Sequence, residues 1–85
     1  MVTQRLVVSF EPGEGAVVRM IGLVERRGYA VRGVNMEERT DGASMTIDVE
    51  PRDPARRVEV VARQLHRLID VNSVSISTPN KGSLA

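Results

Sequence analysis

The 85-residue sequence predicts an α+β domain: one four-stranded antiparallel sheet with two helices packed on a single face. Three observations carry that prediction. Four segments alternate apolar and polar residues at the period of two that marks a strand with one buried face. Two others repeat apolar residues at i, i+3, i+4 and i+7, the period of an amphipathic helix. Turn-forming Gly, Pro and Asp residues separate the segments in the order β-α-β-β-α-β. Two-faced strands in that order, with two helices to cover one face, give the ferredoxin-like arrangement.

In the first strand, residues 4–10, Leu6, Val8 and Phe10 alternate with Val7 and Ser9. Glu11-Pro12-Gly13-Glu14-Gly15 ends it, because Pro12 cannot donate to a ladder and the glycines admit backbone angles closed to other residues. From Ala16 a helix carries Val17, Met20, Ile21 and Val24 on its apolar stripe, with Ala16 and Leu23 widening it and Arg19, Glu25 and Arg26 off it. Arg26 and Arg27 suit the negative end of the helix dipole, and Gly28 supplies a left-handed cap. Gly22 in mid-helix costs about 1 kcal/mol relative to Ala, a sign that something approaches it closely.

Tyr29 to Glu38 forms a second strand with an irregularity. Val31 and Val34 are an odd number of residues apart, so a β-bulge near Arg32-Gly33 is needed to place Val31, Val34 and Met36 on one buried face. Asp41-Gly42 closes a hairpin into a third strand, where Met45, Ile47 and Val49 alternate with Ser44, Thr46, Asp48 and Glu50. Asp53-Pro54, an N-cap acceptor before a proline, predicts the start of a second helix. Its stripe is Val58, Val61, Ala62, Leu65, Leu68 and Ile69, and it ends near Asp70. Val71, Val74 and Ile76, against Ser73, Ser75 and Ser77, give a short fourth strand. Residues 1–77 thus form one domain, and the Pro, Asn, Gly and Ser of residues 78–85 form a flexible tail.

Composition narrows function. A chain this short buries roughly 60 to 65 % of its unfolded surface, so a partner or a dimer would help it. It has no Cys, which removes disulfides and thiolate metal sites, and no long apolar run or signal-like start; the expected location is the cytoplasm, with no membrane contact. Twelve Lys and Arg against eleven Asp and Glu leave a charge of +1, and only Phe10 and Tyr29 are aromatic, which argues against nucleic acid as a partner.

Neither a catalytic group nor a metal site is expected. His66, the one histidine, falls beside Leu65 at the margin of the second apolar stripe and reads as a boundary or surface residue. Asp48 and Glu50 share a wet strand face and read as solubilising charges. Arg56, Arg63 and Arg67, with Glu59 between them, line one side of the second helix; a solvated face with i, i+4 pairing is the favoured reading, a docking stripe for an acidic partner the alternative. The turn Gly13-Glu14-Gly15 before a helix N-terminus offers free N–H groups that suit a carboxylate.

The run Gly15-Ala16-Val17-Val18-Arg19-Met20-Ile21-Gly22-Leu23, followed by Arg26-Arg27-Gly28-Tyr29, resembles the ACT domain of the small regulatory subunits of acetolactate synthase (acetohydroxyacid synthase). Gln64-Leu65-His66-Arg67-Leu68-Ile69-Asp70-Val71 resembles that family's second helix and its exit into the last strand. The likeness covers residues 4–77, and the two runs keep their spacing. The length and Asn35-Met36 are similar to the short isozyme II type. The resemblance implies a non-catalytic homodimer that binds and activates the large catalytic subunit in branched-chain amino acid biosynthesis. Thiamine diphosphate, FAD and Mg would all belong to that partner, and this chain would hold no cofactor. The alternative is a free-standing ACT-domain sensor of another small ligand, such as an amino acid; a small ferredoxin-like enzyme is a distant third.

The resemblance also implies an effector site at a dimer interface, where the first turn of one protomer faces the start of the second strand of the other. It comprises Pro12, Gly13, Glu14, Gly15, Ala16 and Ala30, with Gly22, Tyr29, Val31 and Arg32 as interface candidates. Valine-sensitive members carry one asparagine in the turn, a glycine three residues later, and another asparagine directly after the Arg-Gly-Tyr segment. Here Gly15 is kept, but Pro12 and Ala30 stand at the two asparagine positions. Each hydrogen bond so lost to a charged ligand group is worth about 1.5 to 3 kcal/mol, and Glu14 repels a carboxylate, so valine feedback is expected to be weak or absent.

Overall fold

The computed structural model describes residues 3–78. Its elements are β1 (Gln4–Phe10), α1 (Ala16–Arg26), β2 (Tyr29–Arg39), β3 (Gly42–Pro51), α2 (Val58–His66) and β4 (Val71–Ser77). The strands form one antiparallel sheet in the order β2-β3-β1-β4, the expected ferredoxin-like topology. Except for Thr78, the tail expected over residues 78–85 lies outside the described residues.

Strand alternation places the core. Leu6, Val8 and Phe10 of β1 and Met45, Ile47 and Val49 of β3 are fully buried beneath both helices. From α1 come Ala16, Met20, Leu23 and Val24, and from α2 Val58, Val61 and Leu65, with Val17 and Ile21 at the margin. The opposite sheet face carries polar links. Arg5 Nε donates to Asp48 Oδ1 at 2.8 Å, the Thr3 hydroxyl to Glu50 Oε2 at 3.0 Å, and Arg32 Nε to Glu50 Oε1 at 3.1 Å.

The bulge in β2 is present. Val31 pairs with Val49 but Gly33 already pairs with Asp48, so Arg32 is the extra residue, and Val34 and Met36 then stand opposite Ile47 and Met45. The three apolar residues therefore share the inner face, yet Val34 and Met36 are 49% and 41% exposed. Their expected burial fails because β2 is an edge strand and the helical layer covers Val31 but does not reach the two residues beyond it.

The second helix departs from expectation at both ends. Asp53 does cap, but it caps an isolated turn: its Oδ1 accepts the Ala55 N–H at 2.9 Å and its carbonyl the Arg56 N–H at 3.0 Å. Arg57 then returns to an extended conformation (φ −117, ψ 123), so α2 starts only at Val58. After His66 the chain tightens into i→i+3 bonds from Arg67 to Gln64 and from Leu68 to Leu65. That turn keeps Leu68 against the core but swings Ile69 out to 95% exposure, against its assignment to the buried stripe.

Candidate functional site

The turn after β1 is built as the sequence suggests. Gly15 takes φ +80, the left-handed conformation that favours glycine, and starts α1 without a side-chain cap. The Ala16 amide bonds Gly13 O at 3.1 Å and the Arg19 amide bonds Gly15 O at 3.0 Å, while no backbone carbonyl among the described residues takes the amides of Val17 and Val18. Pro12, Gly13, Glu14 and Gly15 are exposed; Ala16 is buried in the core. Behind the turn, Phe10, Pro12, Gly13, Val17, Met36 and Glu38 line a cavity of about 430 Å³. Met36 and Glu38 are not among the effector-site residues expected from sequence. The signal for them was the bulge, which sets Met36 on the inner face at the end of β2 nearest this turn.

Ala30 is not part of that cavity. It pairs with Glu50, whereas Phe10 and Glu38 both pair with Ala43. Along β2, Ala30 therefore lies about 20 Å from Met36. Pro12 and Ala30 can share a ligand only if a second copy supplies one of them, for instance by laying its β2 edge antiparallel to this one.

The interface candidates fall in different environments. Tyr29 is 2% exposed, so its side chain belongs to the protomer core and offers a partner none of its ring. Val31 is half-buried against the core. Arg32 is exposed on the bulge and paired with Glu50, whose carboxyl is held below its usual range by the Thr3 hydroxyl first and by Arg32 second. Gly22 is half-buried on α1, and a Cβ there would meet Arg26 Nη1 at 3.3 Å. Packing within one protomer therefore does not demand glycine, since a flexible guanidinium can yield. Gly22→Ala should raise protomer stability by about 0.5 to 1 kcal/mol in urea denaturation at dilute concentration. Gly22→Leu should weaken self-association in sedimentation while leaving helicity intact; an undisturbed dimer would remove Gly22 from the interface.

His66 is exposed, and the described residues hold no group of three or more His, Cys, Asp or Glu able to hold a metal. Arg56 does not join a helical stripe with Arg63 and Arg67, because α2 begins two residues after it. No helix among the described residues is long and apolar enough to cross a membrane.

A family model described as the ACT domain matches residues 12–74. Over 70 residues the chain is 30% identical to the acetolactate synthase small subunit of Buchnera aphidicola subsp. Baizongia pistaciae, covering 82% of this chain and 44% of that protein. It is 39% identical over 72 residues to the probable acetolactate synthase small subunit of Archaeoglobus fulgidus, again 82% and 44% of the two chains. The chain thus spans under half the length of these relatives. The ACT domain from the GTP pyrophosphokinase of Chlorobium tepidum superposes with a TM-score of 0.72 over 89% of this chain and 97% of that one; at 12% identity the likeness is one of fold.

Proposed function

The chain belongs to the ACT-domain family, and on that premise we propose that it is a regulatory, non-catalytic small subunit of an acetolactate synthase in branched-chain amino acid biosynthesis. It binds the thiamine-dependent catalytic subunit and stimulates it, while valine feedback is weak or absent. The observation that carries this reading is the identity of 30% and 39% to small subunits of that enzyme across most of the chain. Thiamine diphosphate, FAD and Mg would reside on the partner.

Two features support the weakened sensor. Pro12 and Ala30 bring neither a side-chain amide nor a hydroxyl to the turn and the start of β2, and exposed Glu14 puts a negative charge in the turn that leads into the Val17 and Val18 amides, which no backbone carbonyl takes among the described residues. The uncovered edge of β2, with Val34 and Met36 partly exposed, supports a dimer of ACT domains.

Mixing the full chain with the catalytic subunit and following acetolactate formation, with and without each branched-chain amino acid, tests the reading. Stimulation that valine does not reverse is expected. An unchanged rate at saturating chain would overturn the subunit role, and micromolar valine binding in a calorimeter would overturn the weakened sensor.

A further inference from the structure

At the end of the sheet opposite the Glu11–Gly15 turn, a second cavity of about 230 Å³ opens between the α1–β2 corner and the start of α2. Arg27 and Tyr29 line it from the corner, Arg56 and Arg57 from the segment before α2, and Val60 and Val61 from the helix itself. Tyr29 is 2% exposed, and its hydroxyl has no hydrogen-bond partner. A buried polar group left unpaired is unfavourable, so the hydroxyl calls for an acceptor. Burial foremost, then the charge of Glu59, raises its pKa, with Arg56 opposing; it is a protonated donor at neutral pH.

The surroundings are cationic. Among the described residues, the ion pairs involve Arg5, Arg19, Arg32 and Arg39, so Arg27, Arg56 and Arg57 have no carboxylate partner. Among the described residues, Arg27 Nη2 donates to Gln64 Oε1 at 3.3 Å. Arg56 lies across Gly28, close enough that a Cβ there would sit 2.5 Å from its Nε. Arg57 is the N-cap of α2 and forms no side-chain cap, which leaves the positive end of that helix dipole open beside the cavity. Negative charges near this end are Glu59 in the first turn of α2 and Asp53 in the turn before it.

We propose that this cavity binds the phosphate group of a small phosphorylated molecule, with Arg56, Arg57 and Arg27 around its oxygens and the Tyr29 hydroxyl donating from below. Guanidinium forks match phosphate oxygens bidentately, and a dianion with several acceptor oxygens suits three cations and a hydroxyl better than a carboxylate does. The hydroxyl is closed to solvent in the unliganded chain, so a phosphate reaches it only as the side chains lining the cavity shift onto the bound oxygens.

Tyr29 is the one tyrosine and the chain has no Trp, so intrinsic fluorescence of the full chain reports this residue alone. Titration with inorganic phosphate or pyrophosphate should give a saturable change that sodium chloride at equal ionic strength does not. Arg56→Ala and Arg57→Ala, both at exposed positions, should each weaken that binding by about tenfold or more. Arg39→Ala, in the β2–β3 hairpin, should leave it unchanged. Tyr29→Phe, followed by thermal melting, should raise the transition without ligand and lose most of the phosphate-induced increase. The proposal is overturned by a response no larger than with chloride, or by one that survives in the Arg56→Ala/Arg57→Ala double variant. Acetate competing as well as phosphate would overturn the phosphate assignment.

Discussion

Replacing Pro12 and Ala30 together by asparagine is expected to strengthen valine binding by about two decades or more, measured by calorimetry on the purified chain. On the proposed effector reading, the backbone half of a carboxylate cradle is already in place: Gly15 holds its left-handed turn, and no backbone carbonyl among the described residues takes the amides of Val17 and Val18. What such a site would lack is side-chain amides to orient the ligand's charged ends, which asparagine supplies as both donor and acceptor. Because Ala30 and the turn lie about 20 Å apart within one protomer, the gain should appear only in the associated form. Either single substitution should recover only part of it. A double variant that binds valine no better than the parent would show that the turn is not an effector site.

Phe10→Ala should destabilise the domain by about 3 to 5 kcal/mol. Phe10 is fully buried, ends β1, and forms the wall between the core and the turn cavity. Small domains have in total only about 5 to 15 kcal/mol of stability, so the urea midpoint should fall steeply. Ile69→Ser is the contrasting measurement. The helical stripe read from sequence would make Ile69 a core residue, with a loss of about 2 kcal/mol or more, whereas its 95% exposure predicts a change within about 0.5 kcal/mol. Equal effects of the two substitutions would contradict the α2 terminus described above.

Three segments show how much of the fold is legible in the sequence. The β2 bulge followed from parity alone: two apolar residues an odd number apart cannot share a sheet face without an extra residue, and register shifts at Arg32. The α1 cap at Gly28 was equally readable, since φ +92 is a glycine conformation. The start of α2 differs from expectation because Asp53 and Pro54 are a signal for any turn that begins with a capped N–H. Whether such a turn propagates depends on what the following residues pack against. Arg57 breaks it, and that break is what frees Arg56 to lie over Gly28 and puts two of the three arginines beside Tyr29.

Sequence by itself determined the order of elements, the strand faces, the bulge and the family, because each depends on spacing between neighbours along the chain. Tertiary structure decided which of those faces are covered. Val34 and Met36 lie on the inner face of β2 yet remain partly exposed, because coverage depends on how far the helical layer extends over an edge strand. It also decided that Pro12 and Ala30 lie at opposite ends of one protomer and that Tyr29, whose hydroxyl has no hydrogen-bond partner, lines one cavity with Arg27, Arg56 and Arg57. Both are relations between residues distant in sequence, and no local period encodes them.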